Sequence, residues 1–485
     1  MNQNNNNPKN PIWIYKQGKG DFGFVDIEVD GEKKWYYVHE RNKADALDGD
    51  EVSFRIKEFR WKEEAEIRKV VKRSGKTLVW ELQIPKGKKG FGFFVPQNSF
   101  LDTDIFVPGK YLWRAKHWDI VGVQVYAWDK RNPAGKIVEI LGNKKTRKID
   151  ILSLAVEGGA RLKFPGKVLD EVRWLRDNLG DEMKKRKDLR NTFTFTIDGA
   201  DSKDLDDAIS IEVLKNPPGQ NHSSAPLNKG GDWTQWSGGI FYKLSVHIAD
   251  VTHYVKEGTP LDTEAQKRAT SIYLIDKVIP MLPEKLSNDL CSLNPNEVKL
   301  TLTCEMTINP KGHVVASEVY ESIIKSNYRL TYNDVEKLTT GESLEETEFW
   351  KEINKTLLSA MDDCKDLKKI LTKRKQAEWV LNFDFPEPKI ELDENDHPIH
   401  FWKYERYNSH KIIEEFMVLA NEAVSKQFQK KPFLYRIHEK PGAEDLTKLV
   451  NTLSAFDIDI SASAVDTKTF AEILDAVQGK SSEKR

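Results

Sequence analysis

Five aspartates, Asp198, Asp201, Asp204, Asp206 and Asp207, fall within ten consecutive residues. Left uncompensated, that many carboxylates repel one another, and their pKa values rise because each ionisation costs more beside the others. A divalent cation relieves the repulsion, and hard oxygen ligands suit Mg2+ or Mn2+. Two such cations, roughly 3.5–4 Å apart, can activate a water and stabilise both the attacking and the leaving oxygen of a phosphodiester displacement. A calcium loop of the EF-hand kind needs Gly at its sixth position, Glu at its twelfth and helices on both sides. Counted from Asp198, those positions hold Lys203 and Ile209, and the flanks are strand-like. A solvated acidic turn without a ligand is the lesser alternative to a metal site.

The elements around the loop are legible as strands. Thr192-Phe193-Thr194-Phe195-Thr196-Ile197 alternates residues of high strand propensity, and Ala208 to Val213 repeats the pattern after the loop. The aspartates therefore sit between two strands, which can hold them to a fixed geometry. Downstream, Leu244-Ser245-Val246-His247-Ile248-Ala249-Asp250 offers a histidine and a carboxylate close together. Its apolar, strand-like flanks make His247 a structural, hydrogen-bonded residue rather than half of a catalytic pair. The run from Ile412 to Phe428 has helical periodicity.

The first third of the chain repeats itself with an offset of 69 residues. Phe22-Gly23-Phe24-Val25 recurs as Phe91-Gly92-Phe93-Phe94, Tyr36-Tyr37-Val38 as Ile105-Phe106-Val107, and the Asp50 turn at Asp119. Each unit is a run of short β-rich segments broken by Gly and Asp, as a small barrel would be. On a strand Phe22 and Phe24 share one face, as do Phe91 and Phe93. Exposed rings there, with Phe106, would stack on bases without regard to sequence, at about 1–3 kcal/mol per base. The small glycines would let a base approach the backbone, and Lys86, Lys88 and Lys89 would meet phosphates. Gly18-Lys19-Gly20-Asp21-Phe22-Gly23 fits G-x-G-x-x-G, but a strand rather than a helix follows it, so no nucleotide cofactor is expected.

Together these segments resemble the ribonuclease II/R (RNB) family of metal-dependent exoribonucleases. Ile197 to Ile209 resembles the signature of its catalytic domain, and the paired repeats resemble the cold-shock, OB-type domains at the front of its ribonuclease R branch. Leu244 to Val255 and Tyr273 to Leu293 resemble further family blocks. The resemblance implies that Asp198, Asp204, Asp206 and Asp207 form the catalytic Mg2+ site, with Asp201 incidental and Asp206 the best candidate for positioning metal and water. It also implies that Tyr273 and Phe383 clamp the 3′ end of single-stranded RNA and that Tyr332 and Glu415 contact it further. The choice of Glu415 over Glu414 is left open. The expected activity is processive 3′-to-5′ hydrolysis of RNA to 5′-nucleotides. An RNA-binding module without catalysis and a DNA-directed nuclease are the rival classes.

The expected architecture is multidomain: residues 1–12 disordered, a first OB barrel at 13–73, a second at 74–145, and an α+β RNB domain at 146–485 with an insertion at 215–239. The resemblance implies that this last domain is incomplete at its C-terminus, since family members continue with an arginine-containing segment and another OB-type domain. Charge follows the same division. Residues 1–150 carry 29 Lys+Arg against 21 Asp+Glu, a balance of +8, and the remainder 46 against 55, or −9. A basic front suits RNA capture and an acidic back suits a carboxylate metal site. Three scattered cysteines argue against a disulfide framework and for a reducing cytoplasm. No apolar run approaches the ~20 residues of a membrane span. A monomer is expected.

Overall fold

Residues 13–29 and 32–72 close into a five-stranded barrel because each strand carries one inward apolar row. The computed structural model describes residues 13–477 apart from 19–21, 30–31, 60–61, 88–89, 96–103, 130–131, 147, 177–178, 215–238, 276, 341–354, 382–386, 395–396, 438–440 and 456–466. The N-terminal 1–12, Lys88, Lys89, Phe383 and nearly all of the 215–239 insertion lie outside the described residues. In the first barrel β1 (Trp13–Gln17), β2 (Gly23–Val29), β3 (Glu32–Val38), β4 (Glu51–Phe59) and β5 (Lys62–Lys72) close in the order β1-β2-β3-β5-β4. Tyr15, Val25, Tyr36, Val38, Val52 and Ile67 fill it.

The second barrel has the same connectivity. Its strands β6 (Thr77–Gln83), β7 (Phe91–Phe94), β8 (Ile105–Pro108), β9 (Asp119–Asp129) and β10 (Asn132–Asn143) close in the order β6-β7-β8-β10-β9. The matching closure, with a parallel third-to-fifth pairing in each barrel, is what the 69-residue repeat encodes. The core of the second barrel, with Leu82, Phe94, Ile105, Val107 and Val123, is again apolar.

Residues 1–164, 268–281 and 390–400 form one unit, and 165–267, 282–389 and 401–485 another. The helix Ile149–Glu157 belongs with the second barrel because Ile149 and Val156 bury against Val79, Ile120 and Leu141. Glu157 also accepts a hydrogen bond from the Val79 N–H at 3.3 Å. A short hairpin, β15 (Ile272–Tyr273) with β16 (Val278–Ile279), adds Ile279 to a small cluster with Ala155 and Ala160 in the same unit.

The second unit is built on a seven-stranded mixed sheet. It comprises β11 (Lys187–Asp188), β12 (Phe195–Asp198), β13 (Asp207–Leu214), β14 (Phe241–Ala249), β17 (Val298–Ile308), β18 (Val314–Lys325) and β19 (Tyr328–Thr331) in the order β11-β18-β17-β14-β13-β12-β19. One face is apolar and packs on the helices Tyr332–Thr340, Lys355–Ala377 and Asn408–Phe428. Phe195, Ile209, Leu244, Val246 and Met306 meet Leu357, Cys364, Ile412 and Phe416 there. The alternate strand residues are polar and mutually hydrogen-bonded, as a buried second face requires. Among these bonds, Ser210 Oγ lies 3.0 Å from His247 Nε2 and His247 Nδ1 lies 2.7 Å from Thr303 Oγ1.

The strand before the acidic loop begins later than its alternation suggests. Thr192 donates to the Leu189 carbonyl in a turn, and Asn327 captures Thr194 through its side chain. Ladder pairing consequently starts at Phe195. The helix over Ile412–Phe428 starts earlier, at Asn408, where Glu336 caps the Ser409 N–H at 3.0 Å.

Candidate active site

Asp198 ends β12 and Asp207 begins β13, and the two strands are antiparallel neighbours. Strand pairing alone thus returns the loop to the end of the sheet at which it left. The loop between them is pinned at three points. Leu205 is buried, its N–H donates to Ser292 Oγ at 3.2 Å, and its carbonyl accepts from Leu293 at 2.9 Å. Ser292 Oγ donates in turn to the Lys203 carbonyl at 2.9 Å. Arg329, on β19, donates to the carbonyls of Ala200 at 2.9 Å and Ser202 at 2.7 Å. Behind the last aspartates, the Asp206 carbonyl accepts from the Ala249 N–H at 2.9 Å.

The carboxylates interact electrostatically as the sequence suggests. Burial, and then the charge of Asp207, pushes Asp198 up to about 7; Thr196 and Arg329 oppose the rise. Its Oδ2 is buried with no hydrogen-bond partner. Asp207 is pushed up to about 6, by burial and then by Asp206. Asp206 is raised by its walls first and by Asp204 second, while its tip remains open to solvent. Among the described residues, no three acidic, imidazole or thiolate side chains close around one point. The donor set nevertheless fits a hard cation: four oxygen donors on a pinned loop, one atom orphaned and buried, and ionisation costs that positive charge would remove.

Tyr332 follows β19 directly and lies beside this cluster. Its phenol is pushed up to about 12 by burial and then by the charges of Asp198 and Asp207. A pocket of about 580 Å3 opens next to it, lined by residues 199–202, 331–333, Lys389, 402–405 and Tyr407. Asp201 faces that pocket and is exposed. Glu415 turns inward and pairs with Lys375 at 2.7 Å, whereas Glu414 stays half-exposed and pairs with Arg406. Of the two glutamates, Glu415 is the less exposed, and it is engaged by a lysine rather than by the aspartates. Tyr273 is exposed on the β15–β16 hairpin of the other compact unit. His247 is fully buried, and desolvation pushes its pKa down to about 3, so it is neutral and structural. Asp250 pairs with buried Arg186 at 2.7 Å.

On the barrels, the expected aromatic faces are present at matching positions. Phe22 stacks on Tyr37 with centroids 5.6 Å apart and meets Phe24 edge-on at 5.7 Å. Phe91, Phe93 and Phe106 repeat the triad at 5.7–6.0 Å. All five expected phenylalanines are half-buried, with the strand residues between them facing the core. The glycines serve a different purpose from the one expected. A Cβ on Gly23 would lie 2.4 Å from the Tyr15 ring, and one on Gly92 3.1 Å from Leu82. They make room for the barrel core, not for a base. Sequence reasoning missed Ser292 and Arg329, which hold the loop from 87 to 129 residues away.

Comparison with known proteins places the fold in a family. The RNB domain model matches residues 186–485, and the cold shock domain model residues 93–165. The chain belongs to the ribonuclease II/R family. Ribonuclease R of Aquifex aeolicus is 34% identical over 96% of this chain and 62% of its own length. Ribonuclease R 2 of Lactococcus lactis is 34% identical over 97% of the chain and 68% of its own length. The chain therefore spans roughly two thirds of these ribonucleases. The apo ribonuclease R of Mycoplasma genitalium superposes with a TM-score of 0.80 at 25% identity, covering 97% of this chain and 70% of the other. That protein has also been solved with ribose-methylated single-stranded RNA. The yeast pseudonuclease Ssd1 shares the fold at a TM-score of 0.63 and 14% identity, so the fold alone does not confer catalysis. Among the described residues no helix is long and apolar enough to cross a membrane.

Proposed function

We propose that this ribonuclease II/R family chain removes nucleotides from the 3′ end of single-stranded RNA, processively and by hydrolysis, releasing 5′-nucleotides in RNA turnover. The coupled, pinned aspartates with the orphaned Asp198 oxygen carry the reading, because a family fold without them would only bind. Asp198, Asp204, Asp206 and Asp207 would hold the metal, Mg2+ with Mn2+ as substitute. When bound, divalent metal supplies charge neutralisation and Lewis-acid polarisation at the scissile phosphate. Asp206, open to solvent at the middle of the loop, would position the metal and the attacking water. The Leu205, Ser292 and Arg329 contacts keep the loop rigid, so that little reorganisation accompanies the reaction.

Substrate handling is assigned to the aromatic residues. Phe22, Phe24, Phe91, Phe93 and Phe106 stack on bases of the incoming strand. Tyr273 and Phe383 clamp the 3′ end, and Tyr332 contacts the terminal nucleotide. Glu415 reads the ribose 2′-hydroxyl, which distinguishes RNA from DNA. The test is product analysis by mass spectrometry on matched RNA and DNA oligomers, with Mg2+ and with chelator. Nucleoside 5′-monophosphates from RNA alone, and only with metal, support the reading. Internal fragments or equal use of DNA would sink it. RNA binding without products would make the chain a capture module.

A further inference from the structure

Tyr332 does not stand alone at the aspartate loop. The imidazole of His410 stacks on its ring with centroids 3.8 Å apart and planes 16° from parallel. His410 is itself held at both nitrogens. Nδ1 accepts from the Tyr407 backbone N–H at 3.1 Å, which leaves Nε2 as the protonated nitrogen of the neutral ring. Nε2–H then donates to the Tyr404 hydroxyl oxygen at 2.7 Å. Burial, and then the Arg406 charge, lowers the His410 pKa and keeps it in that neutral form. The helix bearing His410 is tied to the Tyr332 helix a second time, by Glu336 on Asn408 and Ser409. Tyr332 itself is anchored from below, since Thr331 exchanges hydrogen bonds with Asp334.

A helix cap would need only the Nδ1 contact. The stack on Tyr332 and the second bond to Tyr404 fix the plane of the imidazole as well, and through it the plane of the phenol. We propose that His410 is a positioning residue for hydrolysis: it fixes the ring of Tyr332 beside the aspartate loop and so sets the alignment of the terminal nucleotide, not the affinity for RNA. This inference rests on the assignment of Tyr332 to that nucleotide. It predicts a loss in turnover, because misplacing a reacting group by a fraction of an ångström costs rate with little loss of binding.

The full chain is compared with His410→Ala, His410→Phe, Tyr332→Ala and the double variant, on single-stranded RNA with Mg2+. His410→Ala should lower kcat on the order of tenfold with KM changed less than about twofold. His410→Phe, which keeps a planar ring on Tyr332, should recover most of the rate. In the Tyr332→Ala background, His410→Ala should have no further effect on kcat. A rise in KM alone, an unchanged kcat, or full additivity of the two substitutions would overturn the proposal. If the native chain releases no nucleotides, the functional reading has failed, and the positioning claim is read separately. In a fluorotyrosine-labelled chain, the 19F resonance assigned by Tyr332→Phe should shift in His410→Ala and return toward its native position in His410→Phe. An unmoved resonance would overturn the proposal whatever the activity.

Discussion

Replacing Asp198 with Asn should stabilise the metal-free protein while removing its activity. In the folded chain Asp198 titrates near 7 against an ordinary value of 3.8. A raised carboxylate favours the folded state only while protonated, so its ionisation lowers stability as pH rises from about 4 to about 7, with no further change above. The full rise corresponds to about 4 kcal/mol. Part of it belongs to the Asp198–Asp207 pair, since removing one charge also relaxes the other, so about 2 kcal/mol is the working figure. That is a gain of about 4–8 °C in Tm for a cooperative unit of this size. The assay is thermal unfolding of native chain and Asp198→Asn, with chelator, between pH 4 and pH 8.5. The variant should gain above pH 7 and match the native chain near pH 4. Mg2+ should close the gap by stabilising the native chain alone. A variant that is less stable than native at pH 8 with chelator would refute the charge-repulsion argument.

Three further outcomes follow from the same structure. Arg186→Met should cost about 3–5 kcal/mol in denaturant unfolding, because it strands the buried Asp250 carboxylate; a change below 1 kcal/mol would show that the pair is hydrated. His247→Phe should lower stability by about 1–3 kcal/mol, by stripping partners from Ser210 and Thr303. It should leave the pH profile between 5 and 9 unmoved, since His247 is already neutral there; a shifted profile in kinetic assays would contradict this. Phe91→Ala with Phe93→Ala should weaken binding of long single-stranded RNA by about 2 kcal/mol or more in fluorescence anisotropy, leaving cleavage of very short oligomers intact. Equal loss on long and short RNA would mean that the barrel rings pack rather than bind.

How far the sequence reveals this molecule depends on the range of the interaction. The barrels were legible because a 69-residue offset imposes the same closure twice, down to the Phe22–Phe24–Tyr37 and Phe91–Phe93–Phe106 triads. The aspartate loop was legible because five carboxylates between two strands have few other physical explanations. Strand ends were read less well: side-chain capture by Asn327 delays β12, and no local pattern announces a partner 133 residues away. The inward glycines were misassigned for a related reason, since Gly23 answers to the Tyr15 ring on a neighbouring strand. Ser292 and Arg329 reach the loop from distant strands and blocks. His410 lay in plain view before Ile412, but a lone histidine near a helix start carries no periodic signal. The extension of the first unit through the helix Ile149–Glu157 depends on burial of Val156, which composition does not separate from ordinary helix packing.

On the proposed function, the aspartate loop performs hydrolysis at RNA 3′ ends. Its most direct test follows 5′-labelled single-stranded RNA on a gel, with Mg2+, for the native chain and for Asp206→Asn. A ladder that shortens from the 3′ end with the native chain, and is lost in the variant while RNA binding persists, is the expected result. Identical ladders from both proteins, or cleavage by neither with binding retained, would contradict it.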